Sequence, residues 1–243
     1  MTSWLKIVGT NHISKESVEE IKSTFLLYKP DIIAIELDRG RLESLLSEGN
    51  DKKQKISFSF IRSVGVGGFI FLLVGKFLQQ KMGKLVGMKP GSEMLFAIKL
   101  AQNNQLKMAL IDKPLTLTIK RLFKQITFKE KMRFLSDILF APFKKKQSKK
   151  LQKNLGLNKQ NFSSLFSKVP DSKLINSLMF ALKERYPTFH RVLVDERNHY
   201  MAKKLVILHK KDLDKKFMAV VGAGHEEEIL RLVKHYSQTI ELV

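Results

Sequence analysis

Four short apolar runs, at residues 5–8, 32–35, 108–111 and 217–221, constrain this chain more than any other feature. Each is four or five residues long and rich in Ile, Val, Leu, Met and Ala. Runs of that length and type read as strands buried on both faces rather than as helices. Three of them lead into helical patterns. The first passes through GTNHIS into a helix from about Ser14, where Val18, Ile21, Phe25 and Tyr28 recur at helical spacing. The second follows a break at Pro30 and Asp31 and continues as ELDRGRLESLL. The third ends in Asp112 and Pro114, and the fourth runs into GAGHEEEIL. Residues 239–243 read as a last, edge strand. Strands that alternate with helices predict an α/β fold, with a mostly parallel central sheet covered by helices.

The chain has 243 residues, of which 44% are hydrophobic. It therefore needs no more than one domain, 1–243, and has enough apolar surface for a core. Residues from about 120 to 190 interrupt the alternation and read as a basic helical insertion. Between Lys120 and Lys159 thirteen Lys or Arg face only Glu130 and Asp137, which accounts for about half of the net charge of +21. Such an excess favours anionic partners: an anionic membrane surface, nucleic acid or acidic peptides. The single Trp4 and scattered Phe form no stacking motif, so only charge argues for nucleic acid.

No cysteine is present, which excludes disulfides and thiolate metal sites and leaves His, Asp and Glu as the ligand types. The start MTSWLKIVGTNH lacks the basic and apolar regions of a signal peptide, and this predicts a cytoplasmic protein. An uncharged apolar stretch at 64–75 is too short to span a bilayer and predicts a buried or interfacial helix.

His12, Glu36, Asp112 and His225 each follow a predicted strand. In a parallel sheet all four share the edge where ligands of open α/β sheets bind. Both histidines occur as Gly-x-x-His, at Gly9–His12 and Gly222–His225, where glycine allows a sharp turn at the strand end. The two imidazoles become neighbours if the first and fourth strands are adjacent. They equally suit a structural role, satisfying backbone groups at helix N-termini. Glu36 closes a buried run and needs a partner, for which Arg39 and Arg41 are the nearest cations; an ion pair and a catalytic base look alike here. In VLVDERNHYMAKKL, Val194, Met201, Leu205 and Leu208 form an apolar stripe at 100° per residue. Asn198 falls inside that stripe and Arg197 at its border, while Glu196 points towards solvent. Asp195 and His199, four apart, could bracket a cation but read first as an exposed helix pair. Dinucleotide, P-loop and GxSxG signatures are absent.

Together GTNHIS, PDIIAIELDRGR, PGSEM with its amphipathic helix, LIDKP, LVDERNHYMA and VVGAGH resemble the TraB/PrgY/GumN family, in the family's order and over most of the chain. The family is similar to the Tiki proteases and to EreA-like and ChaN-like proteins. In the Tiki proteases two Gly-x-x-His motifs and an acidic residue are implicated in metal-dependent peptide cleavage, roles that by resemblance fall on His12, His225 and Glu36. PrgY-like members limit a peptide pheromone, and TraB-like members are linked to plasmid transfer. Where the family reads IDRD this chain has Ile111–Pro114, and where it reads DERD the chain has Asp195–Asn198, two carboxylates fewer.

Two functions stay open at this point. One is a metal-dependent hydrolase acting on a peptide or small molecule, with His12, His225, Glu36 and Asp112 as ligands for a divalent Mn, Co, Fe or Zn ion. Glu36, Arg41, Arg197 and Asn198 are then the candidates for proton transfer and charge stabilisation. The other is a non-catalytic regulator on a membrane surface that sequesters a peptide.

Overall fold

The computed structural model describes residues 2–10, 15–47, 91–140, 180 and 182–239. His12 and the apolar stretch at 64–75 lie outside the described residues. The element order is β1 (Leu5–Thr10), α1 (Lys15–Tyr28), β2 (Ile32–Ile35), α2 (Arg39–Ser47), α3 (Ser92–Asn103), β3 (Lys107–Leu110), α4 (Leu115–Gln125), α5 (Phe128–Phe140) and α6 (Pro187–His190). A π-helical turn (Arg191–Asp195), α7 (Glu196–Lys211), β4 (Phe217–Gly222) and α8 (Ala223–Thr239) complete it.

The four strands form one parallel sheet in the order β1-β4-β2-β3. The α/β class read from the apolar runs is therefore the fold found. β2 and β4 are buried along their whole length, as central strands with apolar side chains on both faces should be. Alternate residues divide into two cores. Leu5, Ile7, Ile32, Ala34, Phe217, Ala219 and Val221 face Met201 and Leu205 of α7 and Ile229 and Val233 of α8. Val8, Ile33, Ile35, Met218 and Val220 face Ile21 of α1 and Met94, Ala97 and Ile98 of α3. Each fully buried aliphatic side chain contributes about 1.5–3 kcal/mol, so this sandwich is a rigid support for the strand ends. A smaller core joins Leu122, Ile126, Phe189 and Val192, and the elements described within 120–190 are all helices.

Three expectations change. β1 continues through Gly9, which pairs with Val221, so Gly9 does not serve a turn. A Cβ there would collide with the Glu226 carboxylate and lie 3.1 Å from Ala223 Cα; close approach is what requires glycine. Thr239 ends α8 instead of starting an edge strand, and 240–243 lie outside the described residues. The π-helical turn shifts the phase of the helix that follows. Val192 takes the buried position, and Val194 is only half-buried. Among the described residues no helix is long and apolar enough to cross a membrane.

Candidate functional site

Every strand that ends at the C-terminal edge of the sheet delivers a polar group there. Glu36 follows β2 and is 5% exposed; its Oε2 accepts the Gly222 N–H at the end of β4, at 2.6 Å. Asp112 follows β3 and is 3% exposed. His225 stands in the first turn of α8, directly after β4. Thr10 ends β1 opposite Gly222, and its buried hydroxyl has no hydrogen-bond partner among the described residues. β1 and β4 are neighbours, the condition on which His12 and His225 can meet; His12 itself is two residues beyond Thr10, outside the described residues.

Arg197 ties these ends together. Its Nε donates to Asp112 Oδ1 at 3.1 Å, and its Nη2 to Asp112 Oδ2 at 2.6 Å and to Glu36 Oε1. Its Nη1 donates to the Leu193 carbonyl at 3.1 Å and to His225 Nε2 at 3.3 Å. All five guanidinium N–H groups thus have acceptors. Burial alone would push this guanidinium's pKa down, but Glu36 and Asp112 outweigh it and the net shift is upward. Arg197 is a permanent cation.

His225 is oriented from its other side. Nδ1 lies 2.6 Å from Asn198 Oδ1, a carbonyl that only accepts, so Nδ1 carries the proton and Nε2 keeps its lone pair. Asn198 is 1% exposed, on the buried stripe where the sequence pattern places it. Nε2 of His225 and Oε1 of Glu36, two acceptors, stand 3.5 Å apart.

Arg41 does not pair with Glu36, and neither does Arg39, whose partner is the exposed Glu43. Arg41 Nε donates to Asp38 Oδ2 at 2.8 Å and its Nη2 to Asp112. The partner of Glu36 comes from 161 residues further along the chain. Glu196 is also not free in solvent: it is 18% exposed and binds Lys113 at 3.3 Å and Arg121 at 2.6 Å. Asp195 and His199 separate, to His190 at 3.1 Å and to the Tyr236 hydroxyl at 2.6 Å.

Asp38 belongs to the site and was not singled out in the sequence. Its carboxylate accepts the Arg41 N–H at the start of α2 and the Leu115 N–H at the start of α4, so it caps two helices and joins the β2 and β3 ends. The signal was present, an Asp directly before a helical run. Glu93, 1% exposed in the first turn of α3, is a second buried carboxylate that pattern reading passed over.

The inner rim sets Glu36, Asp38 and Asp112 against Arg41 and Arg197, one negative charge in excess. Lys113, Arg121 and Glu196 beside it carry the compensating positive charge. Three features of the rim are those of a divalent-cation site and one opposes it, since Arg197 donates to both His225 Nε2 and Glu36 Oε1. Imidazole nitrogen with carboxylate oxygen suits borderline metals. An Nδ1–H held by a carbonyl is the usual second-shell brace of a metal-binding histidine. Two ligand atoms each about 2.1 Å from one ion stand about 3–3.5 Å apart, as Nε2 and Oε1 do. Among the described residues no group of three His, Asp or Glu is disposed around one such point.

A parallel sheet with this strand-end rim is the setting in which the comparisons with known proteins apply. The model of the TraB/PrgY/gumN family matches residues 2–236, and the chain belongs to that family. It is 36% identical over 230 residues to the uncharacterized protein MJ1365 of Methanocaldococcus jannaschii, covering 94% of this chain and 53% of that protein. It is 25% identical to a TraB domain-containing protein of Homo sapiens and 24% identical to one of Mus musculus, covering 90% of this chain and 60% of each of those proteins. The chain spans only about half to three-fifths of the length of these relatives.

Proposed function

We propose that the chain is a metal-dependent hydrolase acting on a peptide or a small amide-like substrate, with its centre at the C-terminal edge of the sheet. The observation that carries this reading is the meeting of His225 Nε2 and Glu36 Oε1 3.5 Å apart at the sheet edge, each residue held from its other side, by Asn198 and by the Gly222 N–H; both atoms accept from Arg197, whose N–H groups a divalent ion would have to replace. His12 completes the donor set in this reading. It lies two residues beyond Thr10, a reach of about 7 Å. Asp112 engages Arg41 and Arg197 with its oxygens, so here it supports the rim rather than leading the ligand set.

A divalent ion bound here would supply Lewis acidity and lower the pKa of a water to about 7. The protein does the rest. Glu36 would hold the ion or accept a proton through Oε1, while its Oε2 accepts the Gly222 N–H. His225 is kept in a single tautomer by Asn198, so no proton rearrangement is needed before it acts. Arg197 would supply a fixed positive charge beside the centre, held by Asp112, which Arg41 holds in turn. Regulation of a signal peptide or of a conjugation-related process is the biological role this reading suggests.

The test is cleavage of a peptide library by the full chain, with and without chelator, beside His12→Ala and His225→Ala. Cleavage lost in all three treatments supports the reading, and cleavage equal in all of them removes it. One observation favours a second reading, in which a peptide is held and not cut: every Arg197 donor is already satisfied, so the rim is closed by its own charges. Peptide binding with no cleavage in any metal supports that alternative.

A further inference from the structure

We propose that the outer faces of α4 and α5 form a docking surface for an anionic lipid bilayer, independent of the chemistry at the rim. Rim charges balance, so the site does not use the large positive excess of the chain. On α4, Leu117, Lys120, Arg121 and Lys124 lie within about a third of the helix circumference, and all four are exposed. Thr118, Ile119 and Leu122 occupy the buried side. On α5, Phe128, Lys131 and Met132 share an exposed face. The apolar members are well out in solvent: Leu117 is 52%, Phe128 78% and Met132 49% exposed.

Acidic groups are withdrawn from this surface. α4 contains none. Glu130 is 4% exposed and faces inward, accepting from the Thr188 N–H at 2.8 Å and the Thr127 hydroxyl at 3.0 Å. Asp137 is bound by Arg185 at 2.6 Å and by the Tyr186 hydroxyl. Arg121 is committed to Glu196, which leaves Lys120, Lys124, Lys129 and Lys131 without carboxylates beside them among the described residues. Large exposed apolar side chains set among lysines match an interface in which lipid tails take the apolar groups and headgroups take the charge. A nucleic acid would use the charge and leave Phe128, Leu117 and Met132 without a role.

The experiment is sedimentation of the full chain with phosphatidylcholine vesicles, with and without phosphatidylserine, at low and high salt. Binding is expected only with phosphatidylserine, and weaker at high salt. Removing two cations with Lys120→Ala and Lys124→Ala should lower the partition coefficient about thirtyfold. Phe128→Ser should lower it about tenfold. All three side chains are exposed, so circular dichroism and melting temperature should not change. No binding at low salt, equal binding to neutral vesicles, or Phe128→Ser binding as tightly as the parent would each overturn the proposal. Duplex DNA binding that survives Phe128→Ser, without vesicle binding, would assign the surface to nucleic acid instead.

Discussion

Arg197 spends all five of its donors on four residues from four parts of the chain: Leu193, His225, Glu36 and Asp112. Glu36 and Asp112 are almost fully buried, and a buried carboxylate stripped of its cation costs several kcal/mol. Arg197→Met should therefore lower the unfolding free energy by about 3–5 kcal/mol, measured by urea denaturation. Arg197→Lys should recover only part of this, because an ammonium cannot span both carboxylates and the imidazole at once. A loss below about 0.5 kcal/mol for Arg197→Met, the size of an ordinary surface change, would show that the network is not structural. Glu36, Asp112, His225 and Asn198 were readable from sequence, because a polar residue at the end of a buried run or inside an apolar stripe must find a partner. Which partner was not readable. Arg41 is the local choice for Glu36, yet the backbone route after β2 turns it to Asp38 and Asp112, and Arg197 arrives from a helix whose placement depends on the sheet order.

Helix starts carry a second set of signals. Thr127 and Glu130 form a capping box at the start of α5: the Glu130 carboxylate accepts the Thr127 N–H at 3.2 Å, and the Glu130 N–H donates to the Thr127 hydroxyl at 3.2 Å. The same carboxylate accepts the Thr188 N–H, so it also fastens α5 to α6. Burial pushes its pKa up, but the bonds from Thr188 and Thr127 outweigh that and hold it below the ordinary 4.5. A carboxyl with a lowered folded pKa stabilises the fold above its unfolded pKa, and the contribution is lost as pH falls through the folded value. Glu130→Gln should cost about 1 kcal/mol at neutral pH and progressively less in acid. A cost independent of pH would contradict the ionic account. The capping box is visible as Thr-x-x-Glu, whereas the π-helical turn before α7 is not. Periodicity at 100° per residue therefore assigns Val194 to the core where Val192 belongs, and sends Glu196 to solvent when it pairs with Lys113 and Arg121.

At the scale of the molecule the four apolar runs were sufficient for the α/β class, because only strands buried on both faces need such composition. Their order, β1-β4-β2-β3, was beyond them: β2 and β4 are alike in sequence and only packing puts them together at the centre. That order is what makes the rim, since it brings the ends of β1, β4, β2 and β3 side by side with Thr10 opposite Gly222. The proposed function requires this rim to gather imidazole and carboxylate around one divalent ion. Metal content decides it most directly: the purified full chain is incubated with Mn²⁺, Co²⁺ or Zn²⁺, desalted and analysed by mass spectrometry beside the His12→Ala, His225→Ala double variant. The account predicts a stoichiometric ion in the parent chain and none in the folded double variant. Equal metal in both, or none in either, would contradict it.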